Sequence, residues 1–243
     1  AEKSAVLFIL PLTSRFVSDI LRIKLSITQF SIERRLRMAK PDHSLDPLIL
    51  ESAKKEFLKN GFERASLKTI CSNAQVSTGA LYKRYSGKEE LFAAVVEETV
   101  MDLDDILAQK TVADFTQMSD EALVKAWDMD EDYMMWWFRY LEERHDGFVL
   151  LLNCAENTRY ASFQHDWVEK MTRATYGYYL EARRRELTTV DMPEAEMHIL
   201  LTAFWATIYE PFIHGYDLKQ LESHCKLVCK MFDWYRVFGF SSP

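Results

Sequence analysis

Glycine and proline are scarce, 7 and 6 residues in a chain of 243. So few chain-bending residues favour helices over sheets. No asparagine-glycine hairpin signal separates alternating strand patterns, which excludes an all-β reading. Cysteine is confined to Cys71, Cys154, Cys225 and Cys229, dispersed without metal-ligand spacing or a disulfide framework, which fits a reduced, cytoplasmic setting. Cys225 and Cys229 stand four apart on one helical face. A redox switch there competes with the ordinary role of cysteine as a small buried apolar residue. Long apolar runs are missing too. Val6 to Leu12 is too short to span a membrane and is interrupted by Pro11. The start, with Glu2 and Lys3, is not net positive, and no small-residue cleavage site follows cleanly, which argues against a secretory signal. There is no nucleophile elbow, no phosphate-cradling glycine loop and no metal motif, so an enzyme reading lacks support. His145-Asp146, His165-Asp166 and the Glu210/His214 pair have no second ligand pair at helical spacing, so neither a metal nor a cofactor is expected.

What is present is organised around Ser66 to Tyr85. Ser66 is a plausible N-cap, and Leu67, Ile70 and Ala74 recur at helical spacing. Gln75 and Val76 make a corner. Ser77 caps a second helix containing Ala80, Leu81 and Tyr85. Val76 and Leu81 plug the angle between the helices, leaving Thr78, Gly79, Tyr82 and Lys83 looking outward. A short helix with one buried side and small, hydroxyl and basic residues on the other suits the major groove of DNA. The alternative is a pair of ordinary core helices. Upstream, Asp46-Pro47 opens a helix with an acceptor at the cap and proline at the first helical position. Ile49, Ala53 and Phe57 share its face, and Gly61 ends it. Downstream, Ser86-Gly87 breaks the chain before Lys88, Glu89 and Glu90 open a long helix over 88–109.

This ordered, gap-free series of about 55 residues (47 to 100) comprises Ile49, Ala53, Phe57, Gly61-Phe62, Ser66, Ile70, Val76-Ser77, Gly79, Leu81-Tyr82, Tyr85 and Lys88-Glu89-x-Leu91. It resembles the DNA-binding domain of the tetracycline-repressor (TetR) family. Gln75 stands where the family usually has glycine, which puts a non-glycine residue at positive φ. Cys71 replaces the usual alanine and Tyr85 the usual phenylalanine. The resemblance implies that Thr78, Gly79 and Ala80 lie nearest the base edges, beside Ser77. It implies that Tyr82 and Lys83 reach phosphates, and that Lys88 adds its charge to the positive end of the fourth helix. Lys68 is a weaker phosphate candidate; it and Arg84 read equally well as solvated charges.

The net charge of −7 divides unevenly. Residues 1–37 carry seven basic and three acidic residues, residues 38–98 nine of each, and residues 99–243 fourteen basic and twenty-five acidic. The acid lies away from the proposed head, where it discourages non-specific contact with DNA. Residues 1–40 read as an N-terminal extension outside the family pattern. A rival reading makes Arg34, Arg35, Arg37 and Lys40 a basic arm for the minor groove.

The expected architecture is all-α. A three-helix helix-turn-helix DNA-binding domain occupies 41–87 and a helical ligand-binding and dimerisation domain 88–243. Within the latter, 110–119 reads as a loop. Helices are predicted at about 119–127, 131–145, 147–156, 160–188, 193–214 and 217–238, with breaks at Asp146-Gly147, Asn157, Pro193 and Gly215. Its aromatics, Trp136, Trp137, Tyr140, Trp167, Tyr176, Tyr179, Phe204 and Trp205, either line a pocket for a small lipophilic or aromatic ligand or simply fill the core. Glu142, Glu143 and Glu210 are candidates for selecting a cationic ligand. The resemblance implies a homodimer through the last two helices, as a four-helix bundle. Their apolar residues include Ile199, Leu200, Ala203, Phe204, Ile208, Leu221, Leu227, Val228, Met231 and Trp234. Two heads about 34–36 Å apart, or a multiple of that, read a palindromic operator in double-stranded DNA. The function expected is a ligand-responsive repressor. The rival is a DNA-binding regulator whose body only dimerises or meets a protein partner.

Overall fold

The computed structural model describes residues 44–112 and 114–240. The proposed extension and basic arm, residues 1–40, lie outside them. The described residues hold helices and no strand. Helix α1 (Asp46–Arg64) carries Pro47 in its first turn and kinks at Gly61, whose φ of 70° is the left-handed conformation that suits glycine. The expected Asp46 cap does not form: Leu45 occupies the cap position without a side-chain bond, and the Asp46 carboxylate turns to Arg84 instead. Helices α2 (Leu67–Asn73) and α3 (Thr78–Tyr82) follow, then α4 (Lys88–Val112). A 3-10 turn at Phe115–Gln117 leads to α5 (Asp120–Lys125) and α6 (Glu131–Glu142). The body continues with α7 (His145–Asn153), α8 (Phe163–Arg184), α9 (Glu194–Ile213), α10 (Leu218–Met231) and α11 (Trp234–Phe238).

Several boundaries differ from those predicted. Helix α3 ends at Tyr82, so Tyr85, expected within it, lies beyond the helix, where its amide donates to the Leu81 carbonyl at 2.9 Å. The break expected at Asp146-Gly147 falls at Glu143-Arg144, and Gly147 lies inside α7. Glycine serves there for close approach: a Cβ at Gly147 would meet Thr99 Oγ1 of α4 at 2.0 Å. The single helix expected over 217–238 is broken at Phe232 and Asp233, where the Asp233 carboxylate accepts from the Arg236 amide and starts α11. The break turns Trp234 and Phe238 inward onto Trp127. Burial of those two large rings, worth several kcal/mol, outweighs the continuity of one short helix.

Two apolar clusters result. One gathers Ile49, Ala53 and Phe57 of α1 with Ile70, Leu81, Leu91, Phe92 and Val96, and is completed by Leu150, Leu151 and Cys154 from the α7 region. The other fills the body around Trp137, Trp167 and Trp205. The smaller core therefore crosses residue 87 in both directions, seating the first part of α4 and one face of α7 against the first three helices.

Candidate nucleic-acid interface

The corner is built from local chemistry. The Ser66 hydroxyl accepts from the Thr69 amide at 3.3 Å, and the Ser77 hydroxyl accepts from the Ala80 amide at 3.1 Å. Each satisfies one of the orphan donors at a helix start. Gln75 sits at φ 56° between them, a conformation that costs a residue with a Cβ about 1–2 kcal/mol. Leu81 is fully buried and Val76 half-buried, so the angle is filled as the spacing predicts. Two residues that sequence reasoning missed hold the corner from below. Ser52 donates its hydroxyl to the Ile70 carbonyl at 2.9 Å, and the Glu56 carboxylate accepts from the Ser66 amide at 3.0 Å. Both are buried. The signal was legible: positions 52 and 56 fall on the apolar face of α1, and polar residues there need a partner.

Thr78, Gly79, Tyr82 and Lys83 are exposed and Ala80 is half-buried, all on or beside α3. Tyr82, at 52% exposure, is the largest apolar side chain on that surface. Lys68 is exposed on α2. Neither the Lys68 nor the Lys83 ammonium enters an ion pair or hydrogen bond shown among the described residues. Lys88 differs. Its ammonium turns back onto the head, donating to the carbonyls of Glu63 at 2.8 Å and Ala65 at 3.4 Å, and lies 4.7 Å from the centre of the Phe62 ring. Arg84 also points inward. Its Nε donates to Asp46 Oδ1 at 2.6 Å and its Nη1 to the Ala80 carbonyl at 3.1 Å.

The head is tied to the body along α7 as well as along α4. Lys54 of α1 pairs with Asp146 at 3.1 Å. The Phe62 amide donates to the Cys154 carbonyl at 3.2 Å. Arg159 pairs with both Glu89 and Glu90 at the start of α4. Between α1, α4 and the α6–α7 corner lies an open cleft of about 670 Å³. Glu142 and Glu143 line this cleft, away from the indoles of the core. Glu210 is on the surface, 3.4 Å from His214.

The eight aromatics proposed for a ligand do not converge on one space. Trp137, Trp167 and Trp205 meet edge to face, with ring centres 4.8–6.4 Å apart. With Leu103, Phe148 and Tyr209 they enclose a cavity of about 10 Å³, room for one water at most. Trp136 stacks on Tyr140, whose hydroxyl donates to the Asp102 carbonyl. Tyr176 and Tyr179 latch the segment before α9 by donating to the carbonyls of Met192 and Val190. Phe204 packs on Phe232 and Trp234. Burial pushes the Cys225 thiol up to about 12 and the Cys229 thiol up to about 11. Such thiols are inert at neutral pH, which weighs against the redox switch. No group of His, Cys, Asp or Glu among the described residues is arranged to hold a metal. No helix among them is long and apolar enough to cross a membrane.

Of the apolar residues proposed for the dimer, Phe204, Ile208, Leu221, Val228 and Trp234 are buried in the protomer's own core. Ile199, Leu227 and Met231 stay 59%, 66% and 65% exposed.

Residues 49–95 match the family described as bacterial regulatory proteins, tetR family. The HTH-type transcriptional regulator UidR of Escherichia coli (strain K12) is 42% identical over 48 residues, 20% of this chain and 24% of that protein. The chain thus spans about a quarter of the length of UidR. The HTH-type transcriptional repressor AcnR of Corynebacterium diphtheriae is 25% identical over 185 residues, covering 74% of this chain and 87% of AcnR. Among solved structures, a TetR-like transcriptional regulator from Rhodococcus sp. RHA1 shares the fold with a TM-score of 0.53 at 17% identity, over 83% of this chain and 100% of that one. The capped corner and the outward face of α3 thus lie in a stretch, residues 49–95, that carries the DNA-binding domain of the tetR family of bacterial regulatory proteins.

Proposed function

We propose that this chain is a cytoplasmic, sequence-specific DNA-binding regulator. It reads a palindromic operator as a two-fold dimer and acts as a repressor released by a small lipophilic or aromatic ligand. The carrying observation is α3 itself: Leu81 is buried, while Thr78, Gly79, Tyr82 and Lys83 face solvent on the opposite side. Gly79 and Ala80 let the helix approach the base edges, Ser77 and Thr78 offer hydroxyls, and Tyr82, Lys83 and Lys68 reach phosphates. Residues 41–87 form the DNA-reading unit and 88–243 the body that binds ligand and dimerises. The exposed apolar side chains Ile199 of α9 and Leu227 and Met231 of α10 support pairing through these two helices.

Ligand reaches the head through α7. Phe148 of α7 lines the indole cavity, and Leu150 and Leu151 of the same helix lie in the head's core. A ring inserted beside Phe148 shifts α7 and the start of α4 together. The DNA affinity then falls by a coupling of about 1–3 kcal/mol. The narrowness of that cavity favours a second reading, in which the body only dimerises or binds a protein partner.

The test is selection of duplexes from a random library by the full chain, followed by gel shift with the promoter upstream of its own gene. An inverted repeat is expected, bound less tightly by the Tyr82→Ala and Lys83→Ala variants. A folded, dimeric chain that enriches no duplex would overturn the proposal. A thermal-shift screen separates the two readings of the body, since a ligand that binds only the folded state raises the melting point.

A further inference from the structure

We propose that Arg84 and Lys88 are positioning residues that lock the recognition helix and the helix after it onto the two ends of α1, so that the phosphate grip falls to Lys68, Lys83 and Tyr82. This rests on the DNA-binding reading above and assigns different work to the two cations that flank α3.

Helix α3 spans five residues, Thr78–Tyr82, too few for a helix to hold itself in water. Its direction must be fixed at its ends. Ser77 fixes the front. The rear is held by Arg84, whose guanidinium donates to the Ala80 carbonyl and to Asp46 in the first turn of α1. A cation at the carbonyl end of α3 and a carboxylate at the amide end of α1 each suit the local helix dipole, and here they are also bonded to each other. The Arg84 and Asp46 side chains are only 16% and 19% exposed. At the other end of α1 the carbonyls of Glu63 and Ala65 receive the Lys88 ammonium. A lysine opening a helix is otherwise unfavourable, because its charge meets the positive end of the dipole. The carbonyl end of α1 offsets that cost. Of its three N–H donors, two are engaged by carbonyls, and the Phe62 ring lies beside the ammonium. The charge is used inside the head. Lys68 and Lys83, by contrast, are exposed.

The experiment compares Asp46→Asn, Arg84→Gln, Lys88→Gln and Lys83→Gln in the full chain, using the duplex that the unaltered chain selects and a sodium chloride series. Lys83→Gln should reduce the slope of log affinity against log salt by about 0.9 for each head. Arg84→Gln and Lys88→Gln should weaken binding by about tenfold with the slope unchanged. Asp46→Asn is the sharpest arm: removing a negative charge from the head should tighten DNA binding if charge alone matters, whereas positioning predicts weaker binding. Lys88→Arg, which keeps a cation and donors, should restore affinity. A slope that falls in Arg84→Gln or Lys88→Gln as it does in Lys83→Gln would overturn the inference, as would Asp46→Asn binding as tightly as the parent or tighter.

Amide exchange over Leu81 to Tyr85, measured without DNA, should quicken by about tenfold in Arg84→Gln and Asp46→Asn while far-UV ellipticity is retained. Unchanged exchange also overturns the inference. If no duplex is selected, the DNA-binding reading falls and the exchange result alone decides whether Arg84 holds α3.

Discussion

Gly147 of α7 lies so close to Thr99 of α4 that a methyl group on its α-carbon would sit 2.0 Å from Thr99 Oγ1 and 3.0 Å from Thr99 Cβ. Thr99 is buried at 6% exposure, so it has little room to give. Alanine is the better helix former by about 1 kcal/mol, but overpacking a close contact costs about 1–3 kcal/mol. Gly147→Ala should therefore destabilise the protein on urea unfolding. Gly147→Ala with Thr99→Ala should lose less than the single changes summed, the mark of two residues in contact. Additive losses would show that the helices are not held at this point.

The exposed apolar side chains of α10 and their buried neighbours separate association from folding. Leu227→Glu with Met231→Glu places charge on side chains that are 66% and 65% exposed. This should yield a helical monomer in sedimentation velocity, with DNA binding lost because two heads no longer share one operator. Val228→Ala, at 3% exposure, should lower stability by roughly 2 kcal/mol through a cavity and leave the dimer intact. A dimer that survives both glutamate changes would place the interface elsewhere.

Why some of this could be read from the sequence and some could not follows from the range of the interactions. Ser66, Ser77 and Gln75 act within three residues of themselves, so the corner was legible down to the positive φ of Gln75. Gly147 and Thr99 are far apart in the chain. Nothing local distinguishes a glycine that breaks a helix from one that lets two helices touch, so the sequence places at Asp146-Gly147 a break that the structure has at Glu143-Arg144. The same holds for the aromatics. Periodicity marks Trp137, Trp167 and Tyr179 as inward-facing, and all three are buried. It does not say that the indoles meet each other while Tyr179 bonds the segment before α9. Asp46 was legible as a helix-starting residue, but its partner Arg84 stands 38 positions away.

Glu181 supplies a pH dependence with a definite sign. Its carboxylate is 6% exposed and accepts from Arg184 and Arg185 at 2.6–2.8 Å. Those bonds hold its pKa at about 2 against an ordinary 4.5. Arg185 in turn donates to the carbonyls of Met118 and Thr116 and to Asp120, fastening the connector after α4 onto α8. A depressed carboxylate contributes stability that is present above its unfolded pKa and lost as pH falls through the folded one. Glu181→Gln should therefore destabilise the protein at neutral pH, and its deficit against the parent should narrow between pH 4.5 and about 2. Urea midpoints across that window measure it. A deficit independent of pH would mean that packing, not charge, accounts for the loss.

Whether the body senses a small molecule turns on the indole cluster. Trp137, Trp167 and Trp205 surround a cavity of about 10 Å³, so a ligand can enter only if a ring moves. Trp205→Ala removes a ring that is 2% exposed and should cost about 3–5 kcal/mol, since the surrounding helices relax only in part. The space left is apolar and lined by Trp137, Trp167, Phe148 and Leu103, conditions under which an engineered cavity stays dry and accepts a flat apolar guest. Indole should raise the melting temperature of Trp205→Ala in proportion to ln(1 + [L]/Kd). If the indole cluster is the sensor, indole bound in the variant should also weaken operator binding through Phe148 and α7. Indole that stabilises the variant yet leaves the operator complex untouched would separate the cavity from the head, and would favour a body that serves only to dimerise.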